Sequence, residues 1–379
     1  YTITNKIPQG LRQAIADGKK ILVLINPPYA EAGTGVDSGN KEGVATTKIS
    51  NHMPDYGYAT RELFVQFLAR ITQEMPTATL AMFSKLKYVN APNFEKFREI
   101  WSAKYQGGFV VHSKAFDGLK GDFPIGFLVW ETNNKSKNKE IINEITTDVL
   151  DKKANPIGVK IFYNLPNESF LSAWFKRPKS NQTDALPLKN AVSPTTSTKD
   201  VRGTKWADGA IGGMICGKND MQHASTQTAL LSSGYCSAGG YFVTENILWK
   251  TAILFTVRRI IKPTWLNDRD QFLQPTKPLT EEFKNDCLIW MLFNGSNLTA
   301  SANDLEWNGK KWSIVNHFIP FTEEEVNAPD RFESDFMVQY LADKNLSQEA
   351  GLVLKEGKQL WQAYFAHTDV RTVRDELKL

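Results

Sequence analysis

Four consecutive residues, Asn26-Pro27-Pro28-Tyr29, combine groups that could bind and activate a planar ligand. The Asn26 side chain and the Pro27 carbonyl supply hydrogen-bond acceptors, whereas the Tyr29 ring offers a flat surface for stacking. The two prolines restrict the backbone, so these groups would be held in place before a ligand arrives. A rigid turn after a strand is the simpler interpretation of the same residues, and the surrounding elements must decide between the two.

The tetrapeptide follows the most strand-like segment of the chain, Ile21-Leu22-Val23-Leu24-Ile25. Five consecutive apolar residues are typical of a central strand in a parallel sheet that is covered on both faces. Ligands of open α/β sheets bind beyond the carboxyl ends of such strands. The position of the tetrapeptide therefore favours a ligand-binding role.

Helices and strands are expected to alternate downstream. A helix is predicted from Ala59, where apolar residues recur at helical spacing, and a strand over residues 78–83. Asn93 is expected to cap a further helix. Two more strands are predicted over residues 109–111 and 125–130, and the short segment between them indicates antiparallel pairing. The pattern predicts an α/β sheet with a reversed strand at its edge.

This order of features resembles the amino-group DNA methyltransferases that use S-adenosylmethionine. Ile25-Asn26-Pro27-Pro28-Tyr29 is similar to their motif IV, and the likeness continues through Phe83-Ser84-Lys85, Ser113-Lys114-Ala115-Phe116 and Asp122-Phe123-Pro124-Ile125-Gly126-Phe127. It covers roughly residues 1–135 and points to the adenine-N6 enzymes of restriction-modification or phage-defence systems. The resemblance implies an α/β fold: the C-terminal part of a class I, Rossmann-like methyltransferase sheet, followed by a mixed α+β target-recognition region.

The resemblance also implies a role for each residue of the motif. The exocyclic amine of adenine is a weak nucleophile because its lone pair is delocalised into the ring. The Asn26 side chain and the Pro27 carbonyl would accept its hydrogens and localise that lone pair. Tyr29 would stack on the flipped base, with Pro28 and Phe123 lining the pocket. Asn26 points to adenine, since cytosine-N4 enzymes often have Ser there. A core aromatic before a strand is the alternative role for Phe123.

No cofactor loop of the family's form, Asp-x-Phe-x-Gly-x-Gly, precedes Asn26. The segment Asp208-Gly209-Ala210-Ile211-Gly212-Gly213-Met214 is glycine-rich but lacks a preceding apolar strand. The residues that would bind S-adenosylmethionine are therefore not identified. We expect this chain to be a C-terminal fragment that is inactive alone, with the cofactor half in a missing N-terminal region or in other restriction-modification subunits.

The remaining residues are expected to recognise DNA. Residues 1–150 would form the catalytic domain, and residues 151–379 a target-recognition and helical C-terminal region that binds double-stranded DNA. Lys176 and Arg177, and Arg258 and Arg259, are candidate phosphate contacts. A solvated loop or helix end explains either pair equally well.

Composition limits the class of protein. The 379 residues are 41% hydrophobic and 23% charged with a net charge of +4, which is typical of a globular protein and permits an anionic partner. No apolar run is long enough to cross a membrane, and the five histidines lack metal-ligand spacing, so no metal is expected. Cys216, Cys236 and Cys287 show no paired spacing, which indicates free thiols in a cytoplasmic protein.

Three hypotheses follow. The first is an adenine-N6 DNA methyltransferase of a restriction-modification or related defence system, acting on a flipped adenine. The second is an Asn-Pro-Pro-Tyr methyltransferase that acts on RNA or on protein glutamine, against which the long region after residue 150 argues. The third is a non-catalytic DNA-recognition fragment.

Overall fold

The computed structural model describes residues 7–29, 47, 49–101, 103–119, 121–132, 143–184, 186, 205–235, 239–367, 372 and 376. The chain divides into two compact units. The first contains Tyr1–Asn167 and Pro263–Asp270, and the second contains Glu168–Lys262 and Gln271–Leu379. The expected boundary at residue 150 lies between two paired strands of the first unit, so the units divide later in the chain.

The first unit is built on a six-stranded mixed sheet with the order β1-β2-β4-β3-β5-β6. Its strands are β1 (Ile21–Ile25), β2 (Ala78–Lys85), β3 (Lys104–His112), β4 (Pro124–Glu131), β5 (Glu144–Leu150) and β6 (Pro156–Tyr163). Its helices are α1 (Gln9–Ala16), α2 (Leu63–Glu74), α3 (Lys87–Asn90) and α4 (Glu95–Ile100). The protein is thus a mixed α/β protein, as expected.

The reversed strand lies inside the sheet. β4 runs antiparallel to both β2 and β3, as predicted for its pairing with β3, but it occupies the position between them. The expectation that this strand forms the sheet edge was wrong, because β4 inserts between two strands that precede it in the chain. β1 and β2 are parallel, and so are β3 and β5. Because β2 and β3 are both antiparallel to β4, all four strands run in the same direction and their carboxyl ends lie at the same end of the sheet.

Two further expectations need correction. The helix predicted from Ala59 begins at Leu63, since Pro54–Arg61 forms 3-10 turns that are interrupted by a kink at Gly57. Asn93 does not cap α4; it lies within the 3-10 helix Pro92–Phe94, and Phe94 occupies the cap position.

One face of the sheet is covered by a large apolar core. Phe64 and Leu68 of α2 and Phe97 of α4 pack there with Leu80, Met82, Leu128 and Trp130 of the sheet. Val23 and Ile25 of β1 pack against the same core. Leu22 and Leu24, on the other face of β1, are exposed. β1 is therefore an edge strand with one open face among the described residues, although its composition is that of a central strand.

The second unit contains helices and two small antiparallel sheets. β7 (Ala210–Cys216) lies between β8 (Thr228–Leu231) and β9 (Tyr241–Thr244), and β10 (Ala302–Trp307) pairs with β11 (Lys310–Ile314). The helices are α5 (Met221–Ala224), α6 (Leu248–Ile260), α7 (Glu281–Leu292), α8 (Glu323–Val326), α9 (Phe336–Leu341) and α10 (Gln348–Ala366). α10 confirms the predicted C-terminal helix.

Cys216 and Cys287 are buried free thiols, and Cys236 lies outside the described residues. Within the described ranges, every helix is too short or too polar to cross a bilayer.

Candidate functional site

The side chains of Asn26 and Tyr29 are hydrogen-bonded to each other. The Tyr29 hydroxyl donates to Asn26 Oδ1 at 2.9 Å. Pro27 between them is buried, whereas Asn26 is exposed and Tyr29 is half-buried. Burial raises the pKa of Tyr29 to about 12, so the hydroxyl remains a donor at neutral pH. The two side chains thus form a pre-arranged pair in which the Asn26 amide has a defined orientation.

This pair lies at the end of the sheet where strands β1, β2, β3 and β5 have their carboxyl ends. Ile25, the last residue of β1, lies opposite Met82, so Phe83, Ser84 and Lys85 of β2 continue beyond the paired part of β1. Residues 26–29 leave the sheet beside this projecting end of β2. Open α/β sheets bind ligands at the carboxyl ends of their strands. The position of residues 26–29 at this end of the sheet was predicted from the β1 sequence alone.

Phe123 immediately precedes β4 and lies at the same end of the sheet, because β4 runs antiparallel to its neighbours β2 and β3. Its carbonyl accepts the Ser113 backbone N–H at 2.9 Å, and the Ser113 hydroxyl donates to the Gly121 carbonyl at 2.6 Å. These bonds close the loop between β3 and β4 and leave Phe123 half-buried. β4 is two strands from β1, a separation of roughly 10 Å at ordinary strand spacing. Phe123 therefore lies within reach of a ligand the size of a nucleobase bound near Tyr29.

A charged cluster at the end of β3 was not found from the sequence. Asp122 Oδ1 lies 2.6 Å from Lys114 Nζ and 3.2 Å from His112 Nε2. The ring of Trp265, from the returning segment of the first unit, lies 5.2 Å from the His112 ring. Desolvation lowers the pKa of His112 despite Asp122, and the hydrogen bond from Lys114 lowers the pKa of Asp122. Trp265 follows a long intervening region, so no local pattern could have indicated this contact.

An ion pair with a fully buried carboxylate lies near the carboxyl end of β2. Glu62, at the N-cap position of α2, is fully buried, and its Oε1 lies 2.5 Å from Nζ of Lys87 at the start of α3. The pair joins the helix that follows the tetrapeptide to the carboxyl end of β2. Such a pair fixes the relative position of the two elements but contributes little net stability by itself.

Arg258 lies in the interior of the second unit, where it cannot contact DNA. Its guanidinium is fully buried and donates to Thr228 Oγ1 at 2.7 Å and to the carbonyls of Gly217 at 2.7 Å and Lys218 at 2.6 Å. Desolvation by burial lowers its pKa. We therefore remove Arg258 from the candidate DNA contacts: it ties α6 to the segments that flank α5.

The other three candidate DNA contacts differ in exposure. Arg177 is half-buried; it donates to the Gly239 carbonyl at 2.9 Å and lies 5.0 Å from the centre of the Tyr241 ring. Arg259 is half-buried and donates to the Ser225 carbonyl. Lys176 is exposed. Of the four basic residues, only Lys176 has a freely exposed side chain, so it remains the best-placed candidate for a phosphate contact.

The described residues do not fit a cofactor loop. Gly212 and Gly213 lie within β7, not in a loop after a strand. A Cβ atom at Gly212 would meet the Leu231 carbonyl at 2.5 Å and the Phe318 ring at 2.6 Å, so strand packing explains this glycine. No cluster of three metal-ligating side chains occurs in the part of the chain that the structure describes.

Comparison with known proteins gives little further information. No protein-family model matches the sequence, and no curated protein matches it. A chain of the cryoEM structure of the DrdV-DNA complex is a distant structural match, with a TM-score of 0.25 and 12% sequence identity. The match covers 54% of this chain and 23% of the other, so this protein spans about a quarter of that chain's length. A likeness at this score supports no conclusion about family or activity.

Proposed function

We propose that this chain carries the target-base site of an adenine-N6 DNA methyltransferase that belongs to a restriction-modification or related defence system. The observation that carries the proposal is the hydrogen-bonded pair of Asn26 and Tyr29 at the carboxyl end of β1. An amide acceptor, a proline carbonyl and an aromatic ring follow one another there in the sequence, at the end of the sheet where open α/β folds bind ligands.

The chemistry follows from the two lone pairs of the Asn26 oxygen. One accepts the Tyr29 hydroxyl, and the other remains for an N–H of the adenine amine. The Pro27 carbonyl would accept the second N–H. With both hydrogens held, the lone pair of the amine localises on nitrogen and becomes nucleophilic, and after the new bond to carbon has formed the cationic nitrogen loses one N–H proton to water. Because Tyr29 holds the amide, little reorganisation is needed when the base arrives.

Base capture is assigned to the Tyr29 ring. A half-buried tyrosine beside an exposed amide can stack on a base that has left the duplex, which is worth roughly 1–3 kcal/mol and offsets part of the unstacking energy. Pro28 and Phe123 would border the same space. S-adenosylmethionine supplies the methyl group in this proposal, but since the described residues do not fit it, Asn26, Pro27 and Tyr29 are assigned to the target base alone.

The test is methyl transfer by the complete enzyme that contains this chain. Asn26→Ala should reduce turnover by about 10²–10³ with duplex affinity nearly unchanged, because it removes an acceptor used mainly in the transition state. Asn93→Ala is the matched control, since Asn93 is exposed and distant in sequence from the motif. Labelled methyl transfer to adenine in a duplex reports turnover, and 2-aminopurine fluorescence reports flipping. Adenine methylation at the wild-type rate by Asn26→Ala would reject the proposal.

The same assay separates the alternatives. RNA and a glutamine-containing peptide are offered as substrates beside the duplex. Preferred methylation of either would reassign the site to that substrate, and sequence-specific DNA binding without methylation would favour a recognition module.

A further inference from the structure

The second unit contains a cavity of about 490 Å³ that the proposed function does not use. Three segments of the chain supply most of its lining: residues 299–303 around the start of β10, residues 330–333, and residues 360–365 near the end of α10. Cavities of this size are typical of sites for small organic ligands. The side chains around it therefore indicate which ligand it would accept.

One wall of the cavity is aromatic. The Trp361 ring lies 6.0 Å from the Phe332 ring and 6.1 Å from the Phe321 ring, and both contacts are edge-on. Phe321 and Phe332 are buried, so they restrict the Trp361 ring. Tyr364 lines the cavity from the next turn of the same helix and is 46% exposed. The wall thus offers flat rings on which a planar ligand can stack.

Contacts with α8 hold this wall in place. Lys358 Nζ lies 2.5 Å from Glu325 Oε1, and Gln362 Nε2 donates to the Glu325 carbonyl at 2.7 Å. Glu325 also closes the capping box of α8 with Thr322. Because these bonds connect two helices, the aromatic wall is formed before any ligand binds, which reduces the cost of binding.

The facing wall carries amide side chains. Asn316 Oδ1 accepts the Phe318 backbone N–H at 3.0 Å, which leaves its Nδ2 group as a donor. Asn303 is half-buried, and among the described residues its side chain has no hydrogen-bond partner. A side-chain amide presents a donor and an acceptor side by side, which is the arrangement that pairs with the edge of a nucleobase.

Two carboxylates and one guanidinium border the cavity. Asp330, Arg331 and Glu333 are exposed, and they form no ion pair with one another or with other described residues. Carboxylates accept hydrogen bonds from exocyclic amines of bases. They also repel phosphate groups, so their excess over the single arginine disfavours a ligand with several phosphates.

We propose that this cavity binds a nucleobase with an exocyclic amine, stacked on Trp361 and Tyr364. The amides of Asn303 and Asn316 would bond to its edge, and the carboxylate of Asp330 or Glu333 would accept from its amine. A purely apolar ligand would leave the amides without partners, which is costly in a half-buried site. The base can belong to a free nucleoside or to a nucleic-acid strand from which it has unstacked, since both present the same ring and the same edge.

The experiment is calorimetry of the full chain with adenosine, without a methyl donor or duplex. Adenosine should bind with a Kd below about 1 mM. Purine riboside, which lacks the amine, should bind about 10-fold more weakly, and so should adenosine triphosphate. Asp330→Asn combined with Glu333→Gln should reduce the preference for adenosine over the triphosphate. A single-stranded deoxyadenosine hexamer distinguishes the sources: binding tighter than that of adenosine assigns a strand, and weaker binding assigns the free nucleoside.

Matched leucines on α10 locate the binding. Leu360 lines the cavity and is 71% exposed, whereas Leu352 is 55% exposed and lies outside the lining. Leu360→Trp should fill the cavity and abolish binding, and Leu352→Trp should bind like the wild type. Tyr364→Ala, a smaller change, should weaken binding about 10-fold through lost stacking. Photolabelling with 8-azidoadenosine should modify residues 360–365, as read by mass spectrometry, and circular dichroism checks that each variant folds.

The inference has clear contrary outcomes. It is overturned if neither adenosine nor the hexamer binds, if glucose or adenosine triphosphate binds more tightly than adenosine, or if the label falls outside the cavity lining. Wild-type binding by both Leu360→Trp and Tyr364→Ala would overturn it as well. None of these measurements involves Asn26, so the inference and the proposed function can fail independently.

Discussion

Replacing Lys87 with methionine should lower the free energy of unfolding by about 3–5 kcal/mol, because it leaves a buried carboxylate without its ammonium partner. Glu62 is fully buried, and its Oε1 lies 2.5 Å from Lys87 Nζ. Methionine retains most of the lysine volume, so packing changes contribute little to the expected loss. The pair joins α2 to the end of β2, and the destabilisation should be centred on the edge that carries Asn26.

Two matched variants sharpen the test. Lys19→Met removes an exposed lysine whose Nζ lies 3.7 Å from Asp17 Oδ2, and it should cost less than about 1 kcal/mol. Glu62→Gln combined with Lys87→Met removes both charges and should recover much of the loss.

Urea unfolding followed by circular dichroism gives the free energies, and hydrogen exchange in α2 and β2 assigns the effect to the first unit. A Lys87→Met loss as small as that of Lys19→Met would refute the argument. It would mean that water reaches Glu62 in solution or that another partner neutralises it.

Three further predictions concern single side chains. Tyr29→Phe keeps the stacking ring but loses the bond to Asn26, so turnover of the complete enzyme should fall about 2–10-fold while base flipping by 2-aminopurine fluorescence is retained. Gly357→Ala should destabilise α10 by about 1–3 kcal/mol in urea unfolding, because a Cβ atom there would meet the Phe293 ring at 2.2 Å, whereas Gly351→Ala, with open space around it, should stabilise by about 0.5–1 kcal/mol. Burial lowers the pKa of His317 below its value in the unfolded chain. The free energy of unfolding should therefore decline as pH falls below about 6.5, by at most about 1.4 kcal/mol per pH unit. Urea unfolding measured at several pH values should show a smaller decline for His317→Asn.

Local sequence patterns were sufficient for elements whose signal lies within a few residues. The five apolar residues of β1, the helical stripe of α2 and the short connection between β3 and β4 each predicted what the structure contains. The motif at residues 26–29 was also located from its neighbouring strand. In these cases the periodicity of burial and the length of the connection are properties of one short segment.

Features that depend on distant contacts were not predictable in this way. β4 lies inside the sheet because it pairs with two strands at once, and neither pairing leaves a signal in its own sequence. Arg258 follows an apolar run, which is typical of a charged residue at an exposed helix end. In the structure it is buried and donates to the carbonyls of residues 217 and 218. β5 was not predicted although its burial alternates strictly, because one of its buried residues is Thr147, which interrupts the apolar alternation in the sequence.

The composition of β1 predicted a central strand, whereas the structure shows an outer strand of the sheet with two exposed leucines. Its composition specifies a strand covered on both faces, since five apolar residues at an edge would expose leucines to water at a cost. Among the residues that the structure describes, β1 is covered on one face and has one neighbouring strand, and Leu22 and Leu24 are exposed. Since β1 leads directly into Asn26, these exposed leucines lie next to the proposed site of methyl transfer.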